Sequence, residues 1–249
     1  MRKMIFLFAL LISIVSVAKS QQIKYDKVLT YKTQLSWEQP PEFSTILYVG
    51  PKESCFIMSQ PTEAVKKVNI DEGKMYYNAG TKYPKFVIKK FNNDTILFLG
   101  QVFKKYCLVS DRVPAIKWKI LSDTKQIGNY KCQKAIGQFR GRKYTVWFSR
   151  EVPLTLGPWK LGGLPGLIFE ASDSTANVSF NLVSIKNKTG ELEFNTSKLQ
   201  KKTWKEFEEC TRKAWKNMIA YLTSFGSDKI HVGKPNVHLL EPSIMQSEK

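Results

Sequence analysis

From Gln21 to about Asn195 the alternation of apolar and polar positions is mostly that of β-strands. Ile46-Leu47-Tyr48-Val49 stops at Gly50-Pro51, and Cys55-Phe56-Ile57-Met58 follows at once. Phe86-Val87-Ile88-Lys89-Lys90-Phe91 breaks at Asn92-Asn93-Asp94 and resumes as Thr95-Ile96-Leu97-Phe98-Leu99. Two aliphatic and aromatic runs around a short Asn/Asp turn predict a β-hairpin. Residues 101–110 and 115–121 read as strands on either side of Asp111-Arg112-Val113-Pro114, and residues 129–139 and 142–148 as a hairpin about Arg140-Gly141. Residues 167–172, 177–186 and 191–194 close the series. Strands that follow one another without intervening helices form an antiparallel sheet.

The period changes at about Ser197. Between there and Phe225 no Pro or Gly occurs, and Trp204, Phe207, Ala214, Met218, Leu222 and Phe225 recur at helical steps. This predicts a helix over residues 197–225, capped by Asn195, Thr196 or Ser197 and ended by Gly226. Its exposed part is basic, and its apolar stripe covers the open face of the sheet. The expected fold is α+β: a mainly antiparallel sheet, curved or a half-barrel, with one long C-terminal helix packed on it. A β-sandwich with an appended helix is the alternative. Residues 21–226 form a single domain in this reading, and residues 227–249 an extended tail.

The N-terminus supplies an address. Arg2 and Lys3 precede an apolar stretch from Met4 to Val17, and Ala18-Lys19-Ser20 offers small residues for a signal peptidase. A signal peptide of residues 1–20, cut after Ser20, places the chain in the periplasm or outside the cell. No later stretch is apolar enough to cross a membrane. The net charge of +18 favours anionic partners, but the lysine pairs are scattered and no nucleic-acid signature accompanies them. The expected partner is therefore an envelope protein or an apolar or anionic envelope ligand, not nucleic acid. Cys55, Cys107, Cys132 and Cys210 are disulfide candidates in such a compartment, with the pairing open. They show no metal spacing, and the two histidines, His231 and His238, fall in the tail. No metal and no cofactor is expected.

Signatures of catalysis are missing: HExxH, GxSxG, a P-loop and a dinucleotide fingerprint are all absent. One stretch stands out. Residues 152–170 are dense in Gly and Pro yet mostly apolar, so the loop should be partly buried. Leu164-Pro165-Gly166-Leu167 suits a type II turn, and Gly162-Gly163 permits close backbone approach. A buried corner feeding Leu167, Ile168 and Phe169 into the core accounts for the run. The functional alternative is a rigid groove rim made by Trp147, Trp159, Leu161, Gly163, Leu164, Pro165, Gly166, Leu167 and Ile168.

At these residues the chain resembles the GLPGLI family of exported proteins from Bacteroidota, whose hexapeptide stands here as Gly163-Leu164-Pro165-Gly166-Leu167-Ile168. The neighbouring Trp118-Lys119-Ile120, Thr124-Lys125-Gln126-Ile127, Tyr130-Lys131-Cys132-Gln133-Lys134-Ala135, Phe139-Arg140-Gly141-Arg142-Lys143-Tyr144, Trp147-Phe148, Val152-Pro153-Leu154 and Gly157-Pro158 are similar to the family as well. The resemblance spans residues 118–173. It implies export and a strand-rich fold and transfers no catalytic residue. The expectation is an exported, non-catalytic binding or interaction protein. A periplasmic carrier of a lipid or other apolar ligand is one alternative, and an envelope enzyme of unknown type is another.

Overall fold

The computed structural model describes residues 21–36, 42–58, 74–78, 85–102, 105–112 and 114–224. The expected signal segment and tail lie outside these residues. The strands are β1 (Gln21–Leu35), β2 (Glu42–Val49), β3 (Glu53–Met58), β4 (Lys74–Asn78), β5 (Lys85–Lys90), β6 (Thr95–Val102) and β7 (Lys105–Arg112). They continue as β8 (Lys119–Ile127), β9 (Tyr130–Phe139), β10 (Arg142–Ser149), β11 (Leu167–Asp173), β12 (Val178–Asn195) and β13 (Gln200–Thr203), followed by the helix α1 (Trp204–Thr223). All strands join one open, curved sheet in the order β13-β7-β6-β5-β3-β2-β1-β12-β11-β10-β9-β8, with β4 beside β12. Its pairings are antiparallel except β4 with β12 and β13 with β7.

The antiparallel sheet and the packed helix are as the periodicity indicates. Differences lie at the joints. The runs at 177–186 and 191–194 are one long strand, β12, which pairs with β1 along nearly its whole length. The run at 101–110 is the end of β6 and most of β7, and residues 114–118 precede β8 without strand pairing. The helix starts at Trp204, not Ser197. Asn195 accepts hydrogen bonds from the Ser197 amide and hydroxyl, a local turn that imitates a helix cap. The true cap is Thr203: its hydroxyl accepts from the Glu206 amide, while the Glu206 carboxylate accepts from the Thr203 amide. The few residues between go into β13.

Strand alternation splits the apolar residues between the two faces. Phe56 and Met58, Val87, Phe98 and Val109 lie in one cluster, and Cys55 and Ile57, Phe86 and Ile88, and Leu108 in the other. Phe207 of α1 and the apolar residues of the β10–β11 loop belong to the first cluster. Register shifts in β1/β12, β10/β11 and β8/β9 mark the bulges that bend the sheet. The bend brings the β9–β10 turn at one end into contact with β7 near the other.

One buried ion pair fixes the β10–β12 region. Asp173 accepts from Arg142 Nη1 at 2.6 Å, from the Thr175 hydroxyl at 2.5 Å, and from the amides of Asn177 and Val178 at 2.9 Å each. Burial pushes the Asp173 carboxyl up, but the hydrogen bonds from Thr175, Val178 and Arg142 outweigh it and hold it below the usual range. A depressed folded value contributes stability that is fully present above the unfolded value of about 3.9 and is lost as pH falls through the folded one. Asp173→Asn should therefore cost stability at neutral pH, with the gap to the parent closing as pH drops below about 4. Urea unfolding of both proteins at several pH values checks this.

Candidate functional site: a cationic recess under the Gly/Pro loop

The loop between β10 and β11 folds back on itself. Leu156 bridges Gly162, the Gly163 amide donates to Thr155 O at 3.0 Å, and the Ile168 amide donates to Leu156 O at 3.0 Å. Trp159 turns the chain with φ 56°. Around Pro165 the chain makes a tight three-residue turn, Gly166 N–H to Leu164 O at 2.8 Å, and Leu167 N–H bonds Val152 O instead of closing a type II turn. The expected turn type is thus replaced, because the strand-like partner at Val152 captures the Leu167 amide.

This geometry separates the residues expected to form a groove rim. Trp159, Leu161, Leu164, Leu167 and Ile168 are buried in the core, and only Gly163 and Pro165 in the hexapeptide reach the surface. Gly166 is buried where backbones touch. Trp159 packs edge-on against Phe139 at 5.5 Å. Trp147 points to the other side of the β9–β10 hairpin from Val146 and Phe148. There Lys125 Nζ lies 4.6 Å and Lys134 Nζ 5.8 Å from its ring centre, and Lys125 also pairs with Glu170 at 2.5 Å. The loop and Trp147 do not form one surface.

The four candidate cysteines stand as thiols: Cys55, Cys107 and Cys132 are buried and Cys210 is half-buried. Burial pushes the Cys132 thiol up to about 11, aided by Glu170 and Glu151 against Lys125. A thiol so held is a poor nucleophile at neutral pH.

Beneath the loop lies a charged cluster that the strand pattern does not announce. Lys160 is the one basic residue in the run 152–170, and its side chain is 1% exposed. Its Nζ sits 3.6 Å from the centre of the Phe98 ring and 3.8 Å from Asp111 Oδ2. Asp111, at the end of β7, also accepts two hydrogen bonds from Arg140 Nη2, at 2.8 and 3.0 Å. Arg140 reaches it from the β9–β10 turn, where Arg140 and Gly141 both have positive φ (48° and 85°), the requirement of a two-residue type I′ hairpin. The Arg140 guanidinium stacks 3.8 Å over the Trp204 ring of α1. Helix, sheet and loop therefore meet on one carboxylate.

On the outer side of Lys160 a recess of about 180 Å³ opens between Gly162-Gly163, Lys89, Asp94 and Ile116. Lys89 comes from the β5 hairpin, and desolvation lowers its amine below the ordinary lysine value, against the raising influence of Asp94. Trp118 secures the wall: its indole N–H donates to Gly162 O at 2.9 Å, and its ring fills the space a side chain at Gly137 would occupy. The recess offers the Lys89 ammonium as donor, the Asp94 carboxylate as acceptor, backbone groups and an apolar wall. That combination suits a hydroxylated ring of modest size. Among the described residues no cluster of His, Cys, Asp and Glu could hold a metal ion, and no helix is long and apolar enough to cross a membrane.

Residues 50–213 match the family described as "N-glycanase peptide, N-terminal domain". That range contains every residue of the recess. Two solved structures, titled as PNGF-II in a C2 and in a P21 space group, share the fold. The first is 16% identical with a TM-score of 0.52 over 76% of this chain and 33% of the other, and the second 14% identical with a TM-score of 0.52 over 76% and 34%. The chain thus spans about a third of the length of these relatives. No curated protein matches it.

These findings correct the sequence reading. The family match replaces the resemblance to the GLPGLI family. It also overturns the expectation of a non-catalytic binding or interaction protein, and of a protein that is no enzyme. The apolar-ligand carrier goes with them: of the residues that suggested it, Trp159 and the loop leucines pack as core, and Trp147 lies apart under Lys125 and Lys134. The physical reason is local: buried leucines, a close backbone crossing at Gly166 and a surface Pro165 make the hexapeptide a packing device, so it carries little information about chemistry.

Proposed function

Since the chain belongs to the family of the N-terminal domain of the N-glycanase peptide, we propose that it serves the enzymatic release of N-linked glycans, hydrolysis of the amide that joins a sugar to an asparagine side chain. The family match over residues 50–213 carries this reading. In it, the recess seats one sugar ring of the glycan. Lys89 donates to a ring hydroxyl and Asp94 accepts from one, while Ile116 gives the apolar side of the ring a surface. A volume of about 180 Å³ is below that of typical drug-sized pockets, so one ring enters and the rest of the glycan stays outside. Export through the N-terminal segment fits such a substrate, since N-linked glycoproteins are secreted and surface molecules. N-terminal sequencing of the exported protein tests that part: an N-terminus at Gln21 is expected, and an intact Met1 would contradict it.

The test is incubation of the full chain with an N-glycopeptide and with the same peptide lacking its glycan. Titration calorimetry follows binding, and mass spectrometry follows conversion of the linked asparagine to aspartate. The expected result is binding of the glycosylated peptide alone, or its accelerated deglycosylation. A folded chain that does neither contradicts the proposal. Lys89→Met should weaken the interaction by about tenfold, the loss of one charged hydrogen bond, and should leave the thermal midpoint nearly unchanged because Lys89 is only half-buried.

A further inference from the structure

The cysteines are not used by the recess, and two of them lie at one seam. Cys107 on β7 pairs in register with Gly100 on β6, so both face the same side of the sheet. That side carries α1: a side chain at Gly100 would collide with the Phe207 ring at 2.8 Å. The bare backbone at Gly100 is what lets the helix come so close. Cys210 stands three residues beyond Phe207, on the same stripe as Phe207 and next to the buried Thr211. We propose that Cys107 and Cys210 are a disulfide-forming pair that pins α1, and with it Trp204 over Arg140, to the sheet.

The other cysteines are placed elsewhere. Cys55 belongs to the apolar cluster on the opposite face, and Cys132 lies on β9 opposite Lys125, far along the strand order from β7. The charge that Cys210 would bear as a thiolate raises the Cys107 thiol, while burial raises it more and Lys202 lowers it. That coupling fits two sulfurs within electrostatic reach. Exposure sets the order of events, since Cys107 is buried and Cys210 only half-buried. The half-buried Cys210 thiolate attacks a small disulfide such as oxidised glutathione, expelling one thiolate and forming a mixed disulfide. Cys107, losing its proton, then attacks the Cys210 sulfur and expels the second. One S–S bond forms in the protein as one breaks in the oxidant, and the two electrons and two protons end on two glutathione thiols.

The experiment equilibrates the full chain in glutathione buffers of rising oxidant ratio, denatures it, alkylates free thiols and digests it with trypsin. Cleavage at Lys105, Arg112, Lys205 and Arg212 gives peptides 106–112 and 206–212. The expected product is these two joined, lighter than their sum by two hydrogens, with Cys55 and Cys132 alkylated. Reduction should then lower the thermal midpoint and speed amide exchange in α1. Cys107 and Cys210 both alkylated at every ratio, or Cys107 joined to Cys55 or Cys132, would overturn the proposal. Because the map uses the unmodified chain, it does not depend on a variant that folds.

Discussion

Asp111→Asn is expected to cost about 3–5 kcal/mol of folding stability, because it leaves buried positive charge without the carboxylate that compensates it. Lys160 and Arg140 are 1% and 13% exposed at the side chain, and both are held by Asp111. An amide in its place still accepts a hydrogen bond but supplies no charge. The converse substitution behaves differently. In Lys160→Met the carboxylate keeps its two hydrogen bonds from Arg140, and a methyl thioether takes over the apolar contact with Phe98. Its cost should stay below about 1.5 kcal/mol. Urea unfolding of the two single variants and the double variant measures the asymmetry. Equal costs would mean that the cluster is not organised around Asp111.

Gly166→Ala comes second, at about 3 kcal/mol. A β-carbon at Gly166 would lie 2.1 Å from Ser149 O and 2.6 Å from its carbonyl carbon. Those are backbone atoms at the end of β10, which pairs with β9 and β11 and has no freedom to withdraw. Relief requires displacing the loop, and with it Leu164 and Leu167, both essentially inaccessible to solvent. Overpacking of this kind costs about 1–3 kcal/mol and more where backbone must move. Gly163→Ala is the control: a β-carbon there meets nothing within 4 Å, so its cost is limited to the strain of φ 84°, on the order of 1 kcal/mol. Thermal unfolding of both separates steric collision from backbone preference.

The sheet was legible because its signal is local. Period-two alternation and turn dipeptides such as Arg140-Gly141 act within a few residues, and so do the strands they bound. The start of the helix was not, since Asn195 and Ser197 make a hydrogen-bonded turn of the kind that also begins helices, and only the pairing of residues 200–203 with β7 shows otherwise. The recess was hidden for a different reason. Lys89, Asp94, Ile116 and Gly163 belong to separate segments that the curvature of the sheet brings together. The one available signal was Lys160, the single basic residue in the apolar, Gly- and Pro-rich run 152–170. A charge in such a setting is buried with partners or it is functional, and here it lies between Asp111 and the recess.

Hydrogen–deuterium exchange of the full chain, with and without a saturating N-glycopeptide, tests most directly whether this recess receives the glycan. The account predicts slower exchange in the segments around Lys89 to Ile96, Pro114 to Trp118 and Lys160 to Gly163, and no change with the glycan-free peptide. Protection confined to other segments, with these three unchanged, would contradict it.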